Sequence, residues 1–303
     1  MNEEKWTTKD IPDLTGKVFI VTGANSGLGF EAAKEFARNH ATTILACRDL
    51  KKGERALERI RKEVPEADAE VRDLDLSSLA SVRDFTQNFK LNYSRLDVLL
   101  NNAGIMLHPY KHTEDGFESH MGVNHLGHFA LTAQVFELIE KTSNSRIVSV
   151  SSIGHKRGEM DFDNFLFEDG EGYSRFGAYG RSKLSNLLFT YELDRRMKKA
   201  NIDAIAVAAH PGMARTNLGR VIPGYSVFMY LFAWFIPNAA KGALPEIRAA
   251  TDPSVKGSQY YGPKGRIRVH PVLDESNEAS HNEEDATRLW ELSEELTGVK
   301  FTI

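Results

Sequence analysis

The sequence contains little cysteine, little net charge and no long uninterrupted apolar run. One of its 303 residues is a cysteine, Cys47, which has no partner for a disulfide within the chain. Such a chain suits a reducing compartment, and Cys47, inside an apolar run, is interpreted as a small buried hydrophobe. The charged N-terminus lacks the apolar core of a signal peptide. We therefore expect a cytoplasmic protein.

The most apolar stretch runs from Val221 to Ile236 and is interrupted by Pro223 and Gly224. A helix that spans a membrane needs about 20 apolar residues, so no transmembrane segment is predicted. The stretch could instead form an apolar flap or make a shallow, peripheral contact with a membrane. The net charge of -4 gives no sign of a nucleic-acid-binding surface.

Apolar runs typical of buried strands alternate with helical patterns along the chain. The predicted strands are 17–22, 42–46, 69–73, 96–100, 146–151 and 204–209. The predicted helices are 29–38, 52–63, 78–89, 117–141, 179–200 and 283–296. Continuous apolar strands separated by helices indicate a parallel sheet covered on both faces. The pattern predicts an α/β fold with a doubly wound, Rossmann-type parallel sheet, in a single domain over residues 1–303.

A glycine-rich turn follows the first predicted strand. Glycines let the backbone turn sharply and approach a pyrophosphate, which the free N–H groups and positive end of the next helix would bind. Such a turn is also found in tight strand–helix connections without a ligand. Its position after the first strand of an alternating pattern favours a nucleotide site. The residues predicted to contact the nucleotide are Gly23, Asn25, Ser26, Gly27, Leu28 and Gly29.

Polar and small residues follow the second, third and fourth strands. Arg48 could pair with a 2′-phosphate and so favours NADP(H), whereas the neighbouring Asp49 could bind the free ribose of NAD(H). Asp75 could accept a hydrogen bond from the adenine amine, or cap the segment that follows it. Small residues after the fourth strand would let the cofactor lie against the backbone. The predicted contacts here are Arg48, Asp75, Leu76, Asn102, Ala103 and Gly104.

Tyr179 and Lys183 are four positions apart on a predicted helix and therefore share one face. A nearby positive charge favours a phenolate, which makes a tyrosine usable as an acid or base near neutral pH. His125 and His128 lie one helical turn apart, but no carboxylate or thiol spacing completes a metal site. No metal is predicted.

These motifs together resemble the short-chain dehydrogenase/reductase superfamily over residues 14–261. The resemblance rests on the glycine turn at Gly23, the run 101–104, Ser151-Ser152, Asn124, and the pair Tyr179 and Lys183. The runs 46–49, 124–129 and 182–186 resemble its retinol dehydrogenase-like branch, which is also similar to light-dependent protochlorophyllide reductase. The resemblance implies that 14–150 mainly binds the cofactor, that 151–261 mainly supplies catalysis and substrate binding, and that 213–238 is a substrate flap.

The resemblance also implies roles for single residues. Tyr179 would be the catalytic acid/base, and Lys183 would hold the nicotinamide ribose and favour the phenolate. Ser152 would hydrogen-bond the substrate oxygen, while Asn124 would bend its helix and hold a water in a proton relay. The nicotinamide end of the cofactor would be contacted by Tyr179, Lys183, Pro211, Gly212 and Thr216.

Five aromatic residues in the insert 154–177 could wall an apolar pocket. We therefore expect a small apolar ketone, aldehyde or alcohol as substrate, and the resemblance allows a retinal-like one. It also allows a homo-oligomer formed through the helices near Phe117 and Tyr179. Two alternatives remain at this point, a non-catalytic NADP(H)-binding protein that senses redox state and a light-driven enzyme similar to protochlorophyllide reductase.

Overall fold

Short buried strands form the centre of the molecule. The computed structural model describes residues 5–212, 238–265 and 269–303. Within these residues, eight strands form one sheet in the order β3-β2-β1-β4-β5-β6-β7-β8. The strands are β1 Val18–Thr22, β2 Thr42–Cys47, β3 Ala69–Asp73, β4 Val98–Asn101, β5 Ser145–Val150, β6 Ala204–Ala209, β7 Tyr260–Lys264 and β8 His270–Leu273.

The helices lie between the strands and are capped by polar side chains. They are α1 Gly27–Arg38, α2 Leu50–Glu63, α3 Leu79–Asn92, α4 Gly127–Glu140, α5 Arg175–Lys199, α6 Ala239–Gly242, α7 Leu244–Thr251 and α8 Glu283–Thr297. The side chains of Asp49, Ser78 and Ser174 accept N–H groups at the starts of α2, α3 and α5. Gly298, at φ 65°, ends α8 in the left-handed conformation that glycine adopts without strain.

The parallel, doubly wound sheet is confirmed, and one edge differs from the prediction. β1 to β7 pair in parallel, but β8 pairs with β7 in the antiparallel direction. Neither of these two strands was predicted. Pro263 in β7 and Pro271 in β8 interrupt the apolar pattern, and proline is tolerated near a sheet edge because fewer backbone donors are needed there.

Two apolar layers cover the sheet. The side chains of α1, α2 and α7 pack on one face, and those of α3, α4, α5 and α8 pack on the other. Trp290 of α8 stacks with Phe189 of α5 and with Phe301 near the end of the chain. Within the chain, 18 of the 25 residues of α5 are buried, namely those from Ala178 to Asp194 and Met197.

The topology gathers the predicted motifs at one edge of the sheet. β1 lies between β2 and β4, so the chain turns in opposite directions after these strands, and a crevice opens outside their carboxyl ends. The turns after β1, β2, β3, β4 and β5 all reach this crevice. In the described ranges no helix is both long and apolar enough to cross a membrane.

Candidate active site

The glycine turn after β1 is closely packed against the turn after β4. Gly23 has a φ of 68°, which favours glycine. A Cβ on Gly29 would lie 2.9 Å from the carbonyl oxygen of Gly23 and would also clash with the amide of Asn102. The amide of Asn102 donates to the carbonyl oxygen of Thr22 at 2.6 Å. No side chain therefore covers the backbone at the glycines that begin α1, and a pyrophosphate could approach the N–H groups there.

We call the glycine turn from Gly23 to Gly29 the glycine cradle. Thr22 and His128 stabilise it, although no role in it was predicted for either residue. The Thr22 hydroxyl oxygen accepts the N–H groups of Asn102 and Ala103, each at 2.9 Å. It donates to Nε2 of His128 at 2.9 Å, while Nδ1 of that ring donates to the Asn124 carbonyl oxygen at 3.1 Å. Burial lowers the pKa of His128 to about 4, so the ring stays neutral and keeps Nε2 as an acceptor.

The predicted adenosine end of the crevice carries exposed charges. The Arg48 side chain is 68% exposed and lies 3.8 Å from the carboxylate of Asp75. Asp75 also accepts the backbone N–H and the hydroxyl of Ser77, at 2.9 and 2.6 Å. Asp49 caps α2 at Lys52 and forms an ion pair with the same lysine at 2.7 Å. Arg48 thus remains available to a ligand, whereas the Asp49 carboxylate is already engaged.

Tyr179 and Ser152 meet at the other end of the crevice. Tyr179 is buried beside the turn that contains Ser152. Ser152 follows β5 by two residues, and its hydroxyl accepts the N–H of Gly154 at 3.1 Å. A Cβ on Gly154 would lie 3.0 Å from the Tyr179 ring, so the turn after Ser152 packs directly on the phenol. The two hydroxyls that the sequence separates by one insert are therefore adjacent.

The electrostatics of Tyr179 differ from the expectation drawn from its spacing to Lys183. Burial raises the pKa of Tyr179, and the hydrogen bond from Ser152 opposes this rise. The Lys183 ammonium lies 5.9 Å from the centre of the phenol ring and donates to the Val150 carbonyl oxygen at 2.9 Å. Burial lowers the pKa of Lys183, and the buried carboxyl of Glu246 opposes that shift. For both Tyr179 and Lys183, the effect of burial on the pKa therefore outweighs the attraction between phenolate and ammonium.

Asn124 lies in an irregular turn of helix, as the resemblance implies. Residues Met121–Leu126 form a π-helical turn before α4. The Asn124 carboxamide accepts the N–H of Ile105 at 2.8 Å and donates to the Ser182 hydroxyl at 2.9 Å. A Cβ on Gly104 would lie 3.0 Å from the amide oxygen and 3.5 Å from the Lys183 ammonium. Asn124, Gly104 and Lys183 are thus in one place, which the sequence did not show.

Comparisons with known proteins agree with this arrangement. Residues 17–165 match the model of the family described as short chain dehydrogenase. The chain is 39% identical to retinol dehydrogenase 12 of Homo sapiens, covering 95% of this chain and 88% of that protein. It is 41% identical to retinol dehydrogenase 14 of Homo sapiens, covering 94% and 88%.

The chain belongs to the short-chain dehydrogenase family. It is retinol dehydrogenase-like, as the motifs predicted, and is therefore an oxidoreductase that acts on CH–OH donors with a nicotinamide cofactor. Among solved structures, an uncharacterized protein from Mycobacterium paratuberculosis is 38% identical, with a TM-score of 0.83 and coverage of 99% of this chain and 100% of that one. A Shigella flexneri short chain dehydrogenase complexed with NADP has a TM-score of 0.66 at 24% identity, covering 82% and 98%.

The crevice of this short-chain dehydrogenase is lined by most of the residues predicted to contact the cofactor. Its walls include Gly23, Asn25, Ser26, Gly27, Leu28, Arg48, Asp75, Leu76, Asn102, Ala103, Gly104, Tyr179, Lys183 and Pro211. Gly29 and Gly212 are not among these lining residues. Gly212 directly follows Pro211 and has a φ of 62°. Thr216 and the predicted flap at 213–238, apart from Asn238, lie outside the described residues. The described ranges contain no cluster of three or more His, Cys, Asp or Glu side chains that could hold a metal ion.

The aromatic insert of the dehydrogenase is only partly available as a pocket wall. Phe165 is buried in a cluster with side chains of α5 and α8, and Phe162 stacks on it. Phe167 is also buried, with the Arg181 guanidinium 4.0 Å above its ring. Tyr173, in contrast, faces the loop after β4 and donates to the His108 carbonyl oxygen at 2.8 Å. Much of the predicted wall therefore anchors the insert to α5.

A buried histidine beside Tyr179 was not found from the sequence. The His120 ring packs edge-on to the Tyr179 ring, with centroids 6.3 Å apart. Its Nδ1 lies 2.8 Å from the Glu118 carboxylate, and its Nε2 accepts the N–H of His108 at 3.3 Å. Glu118 also accepts the N–H of Met121 at 2.9 Å, so it fixes the start of the irregular turn. His120 therefore supports the Tyr179 ring from a fixed orientation.

Proposed function

We propose that the chain is an NADP(H)-dependent oxidoreductase that interconverts an apolar carbonyl compound and its alcohol. The ketone, aldehyde or retinal-like substrate would be reduced or formed with Tyr179 as the acid/base. The observation that carries the proposal is the packing of the Tyr179 ring against the turn that contains Ser152, beside the buried ammonium of Lys183. All three groups line or adjoin the crevice that begins at the glycine cradle.

The chemistry follows from where protons can move. The bound nicotinamide supplies or accepts the hydride. During reduction, the Tyr179 hydroxyl gives its proton to the carbonyl oxygen while the carbonyl carbon gains the hydride, and a phenolate remains. Ser152 donates to the same oxygen and stabilises the negative charge that develops there. Oxidation of the alcohol reverses each transfer, so Tyr179 then takes the hydroxyl proton.

Lys183 would hold the nicotinamide ribose and supply positive charge to the phenolate. Asn124 would connect this ammonium to the backbone of the loop after β4, since its carboxamide bridges Ile105 and Ser182. The water that the resemblance implies at Asn124 would belong to this relay. The side chains therefore need no reorganisation when the proton is transferred.

Two observations support NADP(H) over NAD(H). Arg48 is exposed at the adenosine end and can approach a 2′-phosphate, whereas Asp49 is engaged by the start of α2 and by Lys52. The Shigella flexneri short chain dehydrogenase of the same fold is complexed with NADP. An adenine contact is proposed for Asp75, and nicotinamide contacts are proposed for Pro211, Gly212 and Thr216.

The substrate proposal rests on the relatives and on apolar side chains near the catalytic pair. The relatives are named retinol dehydrogenases. Ile153 and Phe176 are exposed apolar side chains next to Ser152 and near Tyr179 in sequence. We further propose a cytoplasmic location, with a peripheral membrane contact as one way to receive an apolar substrate. The homo-oligomer stays a prediction.

The test measures NADPH oxidation with ketones and aldehydes of graded size, including retinal. Tyr179→Phe is expected to lower turnover by about 100-fold or more while NADPH still binds. Tyr93→Phe is the matched control. Tyr93 directly follows α3, and its hydroxyl donates to the carboxylate of Glu70 in β3, away from the crevice. Normal turnover in Tyr179→Phe would refute the mechanism. Nucleotide binding without turnover of any compound would favour the redox-sensing alternative.

A further inference from the structure

Two buried histidines connect the active-site backbone to one short segment after β8. We call residues 274–277 the brace segment. His155 follows the turn that contains Ser152, and its Nδ1 donates to the Ser152 carbonyl oxygen at 2.6 Å. Its Nε2 accepts the backbone N–H of Asn277 at 3.2 Å. The ring thus joins the backbone of Ser152 to the last residue of the brace segment.

His210 makes the same kind of connection at the cofactor end. It directly precedes Pro211, which lines the crevice. Its Nε2 lies 2.7 Å from the Asp274 carboxylate, and its Nδ1 accepts the N–H of Gly212 at 3.1 Å. The turn at Pro211-Gly212 is therefore connected to the first residue of the brace segment.

The brace segment has further contacts that keep it in place. The Ser276 hydroxyl is hydrogen-bonded at 2.9 Å to the Tyr191 hydroxyl of α5, the helix that also carries Tyr179. The Asp274 N–H donates to the Tyr260 carbonyl oxygen at 2.8 Å. The Tyr260 ring lies between the two histidines, with centroids 5.8 Å from His155 and 5.0 Å from His210. The brace segment therefore contacts three parts of the site: the turn after β5 through His155, the Pro211-Gly212 turn through His210, and α5 through Tyr191.

The hydrogen bonds fix the charge and the tautomer of both rings. Each ring donates through one nitrogen and accepts a backbone N–H through the other, which only a neutral imidazole can do. Burial lowers the pKa of both histidines. Among the titratable groups that act on them, Lys156 lowers both pKa values, His210 lowers that of His155, and Asp274 raises both. The two connections are consequently intact at neutral pH.

We propose that His155 and His210 are positioning residues, through which the brace segment holds Ser152 and the Pro211-Gly212 turn in place for the reaction. The proposal rests on the proposed function, because it deepens the account of the same site. His155 acts on the part of the site that binds the substrate oxygen. His210 acts on the part that receives the nicotinamide. The two histidines should therefore have separable effects.

The experiment compares ring-preserving variants of the full chain. His210→Phe keeps the ring but leaves the Gly212 N–H without its acceptor, so we expect NADPH to bind about tenfold more weakly. His155→Phe is expected to lower kcat about tenfold with NADPH affinity within twofold of the unmodified chain. NADPH binding is measured by fluorescence titration, and turnover with the carbonyl panel. His40→Phe is the control, since the exposed His40 ring bonds to Asp13 beyond the end of α1 that is farthest from the crevice, and it contacts neither the brace segment nor Tyr191.

Conservative variants keep the test informative if a phenylalanine variant does not fold. His210→Asn retains an acceptor near the position of Nδ1, so NADPH affinity should recover to within about threefold of the unmodified chain. Nitrogen-15 NMR of histidine-labelled protein should show His210 protonated on Nε2 and His155 protonated on Nδ1. The opposite tautomers, or unchanged affinity and kcat in folded His210→Phe and His155→Phe, would overturn the proposal.

The two proposals fail in different ways. If the catalytic function is wrong, no carbonyl compound is turned over, yet His210→Phe still weakens NADPH binding and the NMR tautomers are as expected. If the positioning role is wrong, the unmodified chain turns over a carbonyl compound, and the histidine variants match the His40→Phe control.

Discussion

The ammonium of Lys183 donates to the carbonyl oxygen of Val150, at 2.9 Å, where β5 ends. The amide of Asn186, one turn further along α5, donates to the same oxygen at 3.2 Å. The catalytic helix is thus fixed to the strand that leads to Ser152. This contact places a buried positive charge beneath the crevice, near the phenol of Tyr179.

Removal of the Lys183 charge should reduce both binding and catalysis. In Lys183→Met the phenolate formed during reduction has no neighbouring cation, so turnover should fall by about 100-fold or more. NADPH affinity should also fall, since the ammonium would no longer bind the ribose. Steady-state rates and fluorescence titration check the two effects. Lys199→Met, at the exposed end of the same helix, should leave both unchanged.

Replacement of Arg48 should change the choice of nucleotide. Arg48→Ala is expected to weaken NADPH binding by about tenfold and to leave NADH binding within twofold, because the guanidinium would contact only the 2′-phosphate. Titration with each nucleotide measures the ratio of the two dissociation constants. Arg55→Ala, on the exposed side of α2, serves as the control. An equal loss for both nucleotides would contradict the assignment of Arg48 to the phosphate.

The direction of the pKa shift of Tyr179 predicts a pH profile. Because burial raises this pKa, the phenol stays protonated through neutral pH. Carbonyl reduction needs the protonated form, so its kcat/KM should be flat through neutral pH and fall only at alkaline pH. Alcohol oxidation needs the deprotonated form, so its kcat/KM should rise with pH. Rates in both directions on one substrate pair would check this, and profiles of the opposite sign would exclude Tyr179 as the proton donor.

Glu246 should make the folded protein less stable as pH rises. This carboxyl is buried on α7, one of its oxygens has no hydrogen-bond partner, and burial raises its pKa. Between the ordinary pKa of glutamate and the raised value, the folded state binds the extra proton, so stability is lost over this window. Glu246→Gln removes the effect.

Urea unfolding at several values between about pH 5 and 8 measures the prediction for Glu246. The free energy of unfolding of Glu246→Gln should increase relative to the unmodified chain as pH rises. The nearby ammonium of Lys183, which lowers the pKa of Glu246, limits the size of the change. Glu284→Gln, on the exposed first turn of α8, should show no such trend. A constant difference across this range would mean that Glu246 is charged in the folded state at all of these pH values.

Much of the fold could be predicted because the central strands carry local signals. The bounds predicted for β3 and β6 coincide with the observed ones, and most other predicted elements differ by a few residues at their ends. The helix predicted over 117–141 is instead divided into the π-helical turn Met121–Leu126 and α4 Gly127–Glu140. The start of α5 was missed by four residues, because its first turn lies before the apolar pattern and depends on the cap at Ser174. β7 and β8 were missed because their prolines resemble loop signals.

The sequence by itself determined the family, and it predicted the crevice and the side chains that we propose for catalysis. Parallel strands end at one edge, so chain order alone brings the glycine turn, Asn102, Ser152 and Tyr179 together. Only the tertiary structure decided which partners hold them. Thr22 and His128 are 106 positions apart, and His210 and Asp274 are 64 apart. Periodicity reports which face of an element is buried, whereas hydrogen bonds between distant segments and the pKa shifts of buried groups arise only when the layers pack.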